Sequence, residues 1–181
     1  YINTEGNFIR DTRQFSDVEM NASKVSVHDV DRDGDLDVLI ASDQIPLQFG
    51  SSAKQYIFLN DGNGIFTEDT SDHLKAFKAI PSVKDFRWAD IDNDGEEDLI
   101  TVGYWEPITI LKNTAGVLAP IKNNGLETTN GWWNVVKLHD FDKDGDMDII
   151  AGNWGLNSRL KASYKHPITL YRADFDENGT I

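Results

Sequence analysis

With 181 residues, 39% hydrophobic and 27% charged, the chain has enough apolar content for a core, which excludes wholesale disorder. A formal net charge of −14 excludes a basic face for nucleic acid or for an anionic membrane surface. The absence of cysteine excludes disulfides and thiolate metal sites, so a secreted chain of this kind needs another staple, such as bound metal. No apolar run approaches the roughly 20 residues of a membrane span, so no membrane insertion is expected. The chain opens at Tyr1 without a leader pattern and is expected to be a piece of a mature protein.

In chain order, residues 1–20 contain the turn "NTEGNF" (3–8) and are expected to end a preceding unit. Residues 21–70 then read strand "SKVSV", acidic loop "HDVDRDGD", apolar strand "VLIA", strand "QYIFL" and turn "NDGNGIF". The stretch "DHLKAFKAI" (72–80) is at most a short helical turn. Residues 83–120 repeat the order, with "KDFRW", "ADIDNDGEED", "LITV", "ITILK" and "NTAGVL". Residues 132–181 begin it a third time, with "NVVKL", "HDFDKDGDMD" and "IIAG". The starting aspartates Asp29, Asp90 and Asp140 lie 61 and then 50 residues apart. Each repeat holds two hairpins, the second turning on an Asn-Gly unit in which glycine supplies positive φ.

Four strands every 50–60 residues is the spacing of a β-propeller blade. The expected fold is all-β, about three four-stranded blades at 21–70, 83–120 and 132–181. Propellers close with about 4–8 blades, so this is read as an arc of a larger ring. The tail "PITLYRADFDENGTI" (167–181) aligns with "PITILKNTAGVL" (107–118), with an acidic loop in place of the Asn-Gly turn.

The acidic loops hold 16 of the 31 carboxylates in three nine-residue windows, 29–37, 90–98 and 140–148. Two carboxylates about 5 Å apart repel by roughly 3 kcal/mol at an effective dielectric near 20, so a compact turn needs a cation among them. Loops of the form D-x-D-x-D-G wrap Ca²⁺, with side chains one, three and five and the carbonyl of residue seven facing the ion. The expected ligands are therefore Asp29, Asp31, Asp33 and the Asp35 carbonyl in the first loop. In the second they are Asp90, Asp92, Asp94 and the Glu96 carbonyl, and in the third Asp140, Asp142, Asp144 and the Asp146 carbonyl. An EF-hand would need Glu at position twelve, where Ile40, Thr101 and Ala151 stand; instead each loop carries Asp at position nine, Asp37, Asp98 or Asp148. Mg²⁺ prefers a tight octahedron and retained waters, and transition metals prefer His or thiolate. In the tail, Asp174, Asp176 and Asn178 take positions one, three and five of a fourth, incomplete site.

These loops, "NDGNGIF", and the stretch "GWWNVVKLHDFDKDGDMDIIAGNWGLNS" with "LYRADFDENG" resemble the FG-GAP/VCBS repeat family. Its best-known member is the integrin α-subunit propeller; the last stretch is similar to bacterial secreted VCBS-repeat proteins related to the cartilage acidic protein group. The resemblance implies a seven- or eight-bladed extracellular propeller with Ca²⁺ in its blade loops, at the cell surface, in the periplasm or secreted.

Trp88 reads as core, whereas Trp105, Trp132, Trp133 and Trp154 fall at strand ends or connections, where binding surfaces lie. With Asn153 and Asn157, these four are candidate ligand-binding residues for a sugar ring, against a plainer role in packing between blades. His28 and His139 precede the loops at matching positions and read as structural. No nucleophile-base-acid set or phosphate loop is present, so no catalytic residue is assigned. The functional expectation is a non-catalytic extracellular Ca²⁺-binding module for adhesion or for a protein or glycan ligand. The alternative is the substrate-binding part of a secreted carbohydrate-active enzyme, such as a polysaccharide lyase.

Overall fold

The computed structural model describes residues 1–15, 18–156, 158–163 and 165–179. Among these residues twelve strands form four antiparallel sheets, and the one helix, α1 (Lys75–Lys78), is a single turn. Among the described residues no helix is long and apolar enough to cross a membrane. β1 (Ile2–Thr4) and β2 (Asn7–Ile9) form a hairpin closed by Glu5 and Gly6, both at positive φ (52° and 88°), the geometry a two-residue turn requires.

The first large sheet is a meander of β3 (Ala22–His28), β4 (Asp37–Ser42), β5 (Tyr56–Asn60) and β6 (Phe66–Glu68). The second repeats it with β7 (Asp85–Ala89), β8 (Asp98–Val102), β9 (Thr109–Thr114) and β10 (Val117–Pro120). The third unit pairs only β11 (Trp133–His139) and β12 (Asp148–Asn153) among the described residues. Two of the four strands expected at 132–181 are thus present among the described residues. In the second sheet Ile108 and Ile110, beside and within β9, are buried together with Val136 of β11. Their counterparts Ile168 and Leu170 lie in no strand among the described residues. They turn back to the first unit, where Leu170 lies over Gly50 and Arg172 donates to Gln48 Oε1 at 3.3 Å.

The apolar runs after the first two acidic loops become the central strands β4 and β8, as their lack of alternation requires; every residue of β8 is buried. Period two divides β8 between two cores. Leu99 joins Leu39, Ile57, Phe77 and Phe86 in the core shared with the first sheet. Ile100 and Val102 join Val136 in the core shared with the third. The opening strands β3, β7 and β11 are tied side by side through Asp85. This buried carboxylate pairs with the Lys24 ammonium at 3.2 Å and accepts from Arg87 Nη1 at 2.7 Å and the Val136 N–H at 3.1 Å. Three successive sheets thus share one charge-assisted joint.

Candidate functional site

All four acidic loops fold into the same turn. The position-one carboxylate accepts the glycine N–H five residues on: Asp29 from Gly34 (3.1 Å), Asp90 from Gly95 (2.8 Å), Asp140 from Gly145 (3.0 Å) and Asp174 from Gly179 (2.7 Å). Position four is left-handed each time, at Arg32, Asn93, Lys143 and Glu177 (φ 56–67°), and the glycine follows at φ 86–102°. That glycine is required, because a Cβ is strained in this region. The carboxylates at position five, Asp33, Asp94 and Asp144, each accept the N–H of position seven at 2.9 Å.

The turn draws acids together. Ligand atoms of Asp29, Asp31 and Asp33 lie within 4.8 Å of one another, as do those of Asp90, Asp92 and Asp94, and those of Asp140, Asp142 and Asp148. These three groups could hold a metal ion. The donors are all hard oxygens, and Asp29 Oδ1 is buried with no hydrogen-bond partner, which is costly for a carboxylate without a cation. The residues present therefore fit a hard divalent ion. Burial, followed by the charges of Asp37, Asp33 and Asp29, pushes the Asp31 carboxyl up.

Position nine has a second task. Asp37 accepts the N–H of Val30 (2.9 Å) and of Asn60 (2.8 Å); Asp98 accepts those of Ile91 (3.3 Å) and Asn113 (2.7 Å). Both aspartates are fully buried. Asn60 and Asn113 also donate their amides to Leu36 and Glu97 carbonyls and accept Gly64 and Gly116 N–H groups. The Asp-rich loop and the Asn-Gly turn alternate along the chain because each pair locks together in space. Asp148 receives the N–H of Phe141 at 2.9 Å and lies within the acidic group of its own loop.

The position-seven side chains point out of their loops. Glu96 meets Arg32 Nη2 of the preceding loop at 2.6 Å and accepts the Ala115 N–H at 2.8 Å. Asp146 accepts Asn93 Nδ2 of the preceding loop at 2.9 Å, and Asp35 lies against Gly62. Position four of one loop is thus joined to position seven of the next, twice. Lys112 on β9 reaches into the second loop, where Nζ contacts Asp92 Oδ2 and sits 2.8 Å from Asp94 Oδ2. Its ammonium holds the Asp94 carboxyl below the usual range. In the tail, Asn178 donates to Asp176 Oδ2 at 2.9 Å.

A family model described as FG-GAP-like repeat matches residues 29–101 and again 90–151. Each match opens on the first aspartate of one loop and ends in the strand behind the next. The chain belongs to the FG-GAP-like repeat family. No curated protein matches it.

Away from the acidic ends of these FG-GAP-like repeats, aromatic rings gather around Trp132. Its ring centroid lies 4.5 Å from Trp154, 5.6 Å from Trp105, 5.4 Å from Tyr104 and 5.9 Å from Phe49. Trp105, Trp132, Asn153 and Trp154 line one cleft. Trp133, next in the strand, faces the other way, packing on the second core with its indole donating to the Thr129 carbonyl at 2.9 Å. Asn157 lies outside the described residues. Beside the cleft, burial raises the carboxyl of Glu106. His28 stacks on Trp88 at 3.9 Å, and burial lowers its basicity. His139 packs edge-on against Phe141.

Proposed function

We propose that the chain is part of a Ca²⁺-binding β-propeller that works outside the cell as an adhesion or ligand-binding module, with no chemistry of its own. One observation carries the ion: the same turn is built four times around converging carboxylates, and in the first of them a buried Asp29 oxygen has no partner. Ca²⁺ suits such loops because it accepts six to eight oxygens in flexible geometry. The propeller reading is supported by the succession of meander sheets whose first strands meet at Asp85. An extracellular setting follows from affinity, since sites of extracellular modules bind at about 10⁻⁴–10⁻³ M and would stand empty at resting cytosolic Ca²⁺. The partner is an extracellular protein or glycan.

Calcium titration by calorimetry tests the reading. The expected stoichiometry is one ion for each of the three acidic groups. Asp142→Ala should remove one of them, because the third group loses a member and keeps a cluster of like charges. A variant with unchanged stoichiometry and parental stability in saturating Ca²⁺ would show that this loop is only a solvated turn.

The loops should not be equivalent. An ion entering the second loop competes with Lys112 for Asp92 and Asp94. Lys112→Met should tighten that site by about two- to fivefold, since a partly exposed ion pair is worth no more than about 1 kcal/mol. The other two sites should keep their affinities, and a uniform change across all three would rule out local competition.

A further inference from the structure

The cleft beside Trp132 has a volume of about 560 Å³, within the range of small-ligand pockets. In a chain of net charge −14, none of the described residues lining it is charged. One wall is aromatic, the other aliphatic, and its polar side chains are amides and hydroxyls. Trp132 and Trp154 meet at 83°, forming a corner of two ring planes, and Trp154 is 45% exposed. We propose that this cleft binds an uncharged saccharide, with a sugar ring stacked on the Trp154 side of the corner and its hydroxyls read by Asn153 and Asn130. The inference rests on the binding-module reading and gives that module its ligand class.

The two amides offer what a hydroxyl needs. Asn153 Oδ1 accepts the N–H groups of Gly155 (2.9 Å) and Trp132 (3.4 Å), which fixes the amide so that Nδ2 is the end left to donate. Asn130 is held the other way round. Its Nδ2 donates to the Trp105 carbonyl at 2.7 Å, leaving Oδ1 to accept. Among the described residues neither free end has a protein partner. A hydroxyl is both donor and acceptor, so one sugar can satisfy both. Aromatic faces with few placed polar groups are the usual make-up of a pocket that orients a small ligand.

The backbone around the cleft is held in an unfavourable shape. Trp105 has φ +69°, a region bulky residues avoid, and its Nε1–H is buried without a partner. It is kept there because its N–H donates to the Gly131 carbonyl at 2.8 Å while its carbonyl accepts from Asn130. Strain of this kind persists where the surroundings over-determine it, and it concentrates at ligand sites. Among the described residues the lining offers a uronate no basic side chain and a cation no carboxylate; the nearby Lys161 ammonium is spent on the Leu156 carbonyl at 2.7 Å.

An oligosaccharide array carrying uncharged glucans, xylans, mannans and galactans beside uronates and sulfated glycans, probed in millimolar Ca²⁺, tests this. Saturable binding to an uncharged class is expected, with a change in tryptophan emission on titration. Trp154→Ala should weaken it by about tenfold, as loss of an anchoring aromatic does. Asn153→Asp keeps the acceptor for Gly155 and removes the donor, and should also weaken binding while the melting midpoint stays parental. Binding confined to uronates or sulfated glycans, no binding to any uncharged glycan, or parental affinity in both variants overturns the proposal. Ion stoichiometry measured on the same sample separates the two readings. Saccharide binding without bound ions would support the cleft and overturn the Ca²⁺ assignment, while three ions without saccharide would overturn the cleft alone.

Discussion

Stripping divalent ions with EDTA should lower the melting midpoint by roughly 8–16 °C relative to millimolar Ca²⁺, the shift that about 4 kcal/mol produces in a domain of this size. The estimate is built from the loops. A ligand that binds only the folded form stabilises it by about 1.4 kcal/mol per site at ten times its dissociation constant. Three groups of converging carboxylates then contribute about 4 kcal/mol, a large share of ordinary domain stability. Without an ion the same carboxylates repel, and the strands they lead into suffer directly. Position nine of each loop is the first residue of β4, β8 or β12, so loosening a loop frays the start of the strand behind it. Thermal unfolding followed by far-ultraviolet circular dichroism, with EDTA and with CaCl₂, reads the shift. Equal midpoints would mean the loops hold no ion that matters to the fold.

What was legible in the sequence is local. Each acidic loop is specified by residues within nine positions of one another, so its glycine, its ring of carboxylates and its flanking strands can be read from spacing alone. The Asn-Gly turns are legible for the same reason. The joints between units are not. Arg32 meets Glu96, and Asn93 meets Asp146 at a separation of 53 residues, through positions that carry no motif of their own. Lys112 reads as one basic residue on a strand, and only the fold brings it to Asp92 and Asp94. The pairing of Asp37 with Asn60 and of Asp98 with Asn113 left a trace in the alternation of the two units. Unequal connections, 23 residues in one repeat and 15 in the other, blur it. Among the tryptophans, Trp132 and Trp133 are chemically alike in sequence but face opposite sides of the chain, one to the cleft and one to the core. In the third unit the 167–172 segment copies the strand at 107–112, yet Leu170 lies over Gly50 and Arg172 meets Gln48 of the first unit, contacts that no motif announces.

Asp37→Ala should destabilise the chain by about 2–4 kcal/mol, and the loss should persist in EDTA. Asp37 is fully buried, and its two oxygens accept the N–H groups of Val30 and Asn60 at 2.9 and 2.8 Å. Alanine leaves both donors without an acceptor, each costing about 1–3 kcal/mol where water cannot reach. It also unfastens the Asn60 turn from the acidic loop. Asp31→Ala is the contrast. Asp31 is exposed and belongs to the first acidic group, where burial and neighbouring charges already oppose its ionised form. Its loss should cost stability in Ca²⁺, when a ligand disappears, and be neutral or slightly stabilising in EDTA, when only a repelling charge does. Urea unfolding of both variants in both conditions therefore separates the residue that pins the hairpins from the residue that meets the ion. If Asp37→Ala matched the parent in EDTA, the Asp37 carboxylate would owe its place to the ion alone, and the lock between acidic loop and Asn-Gly turn would carry no stability of its own.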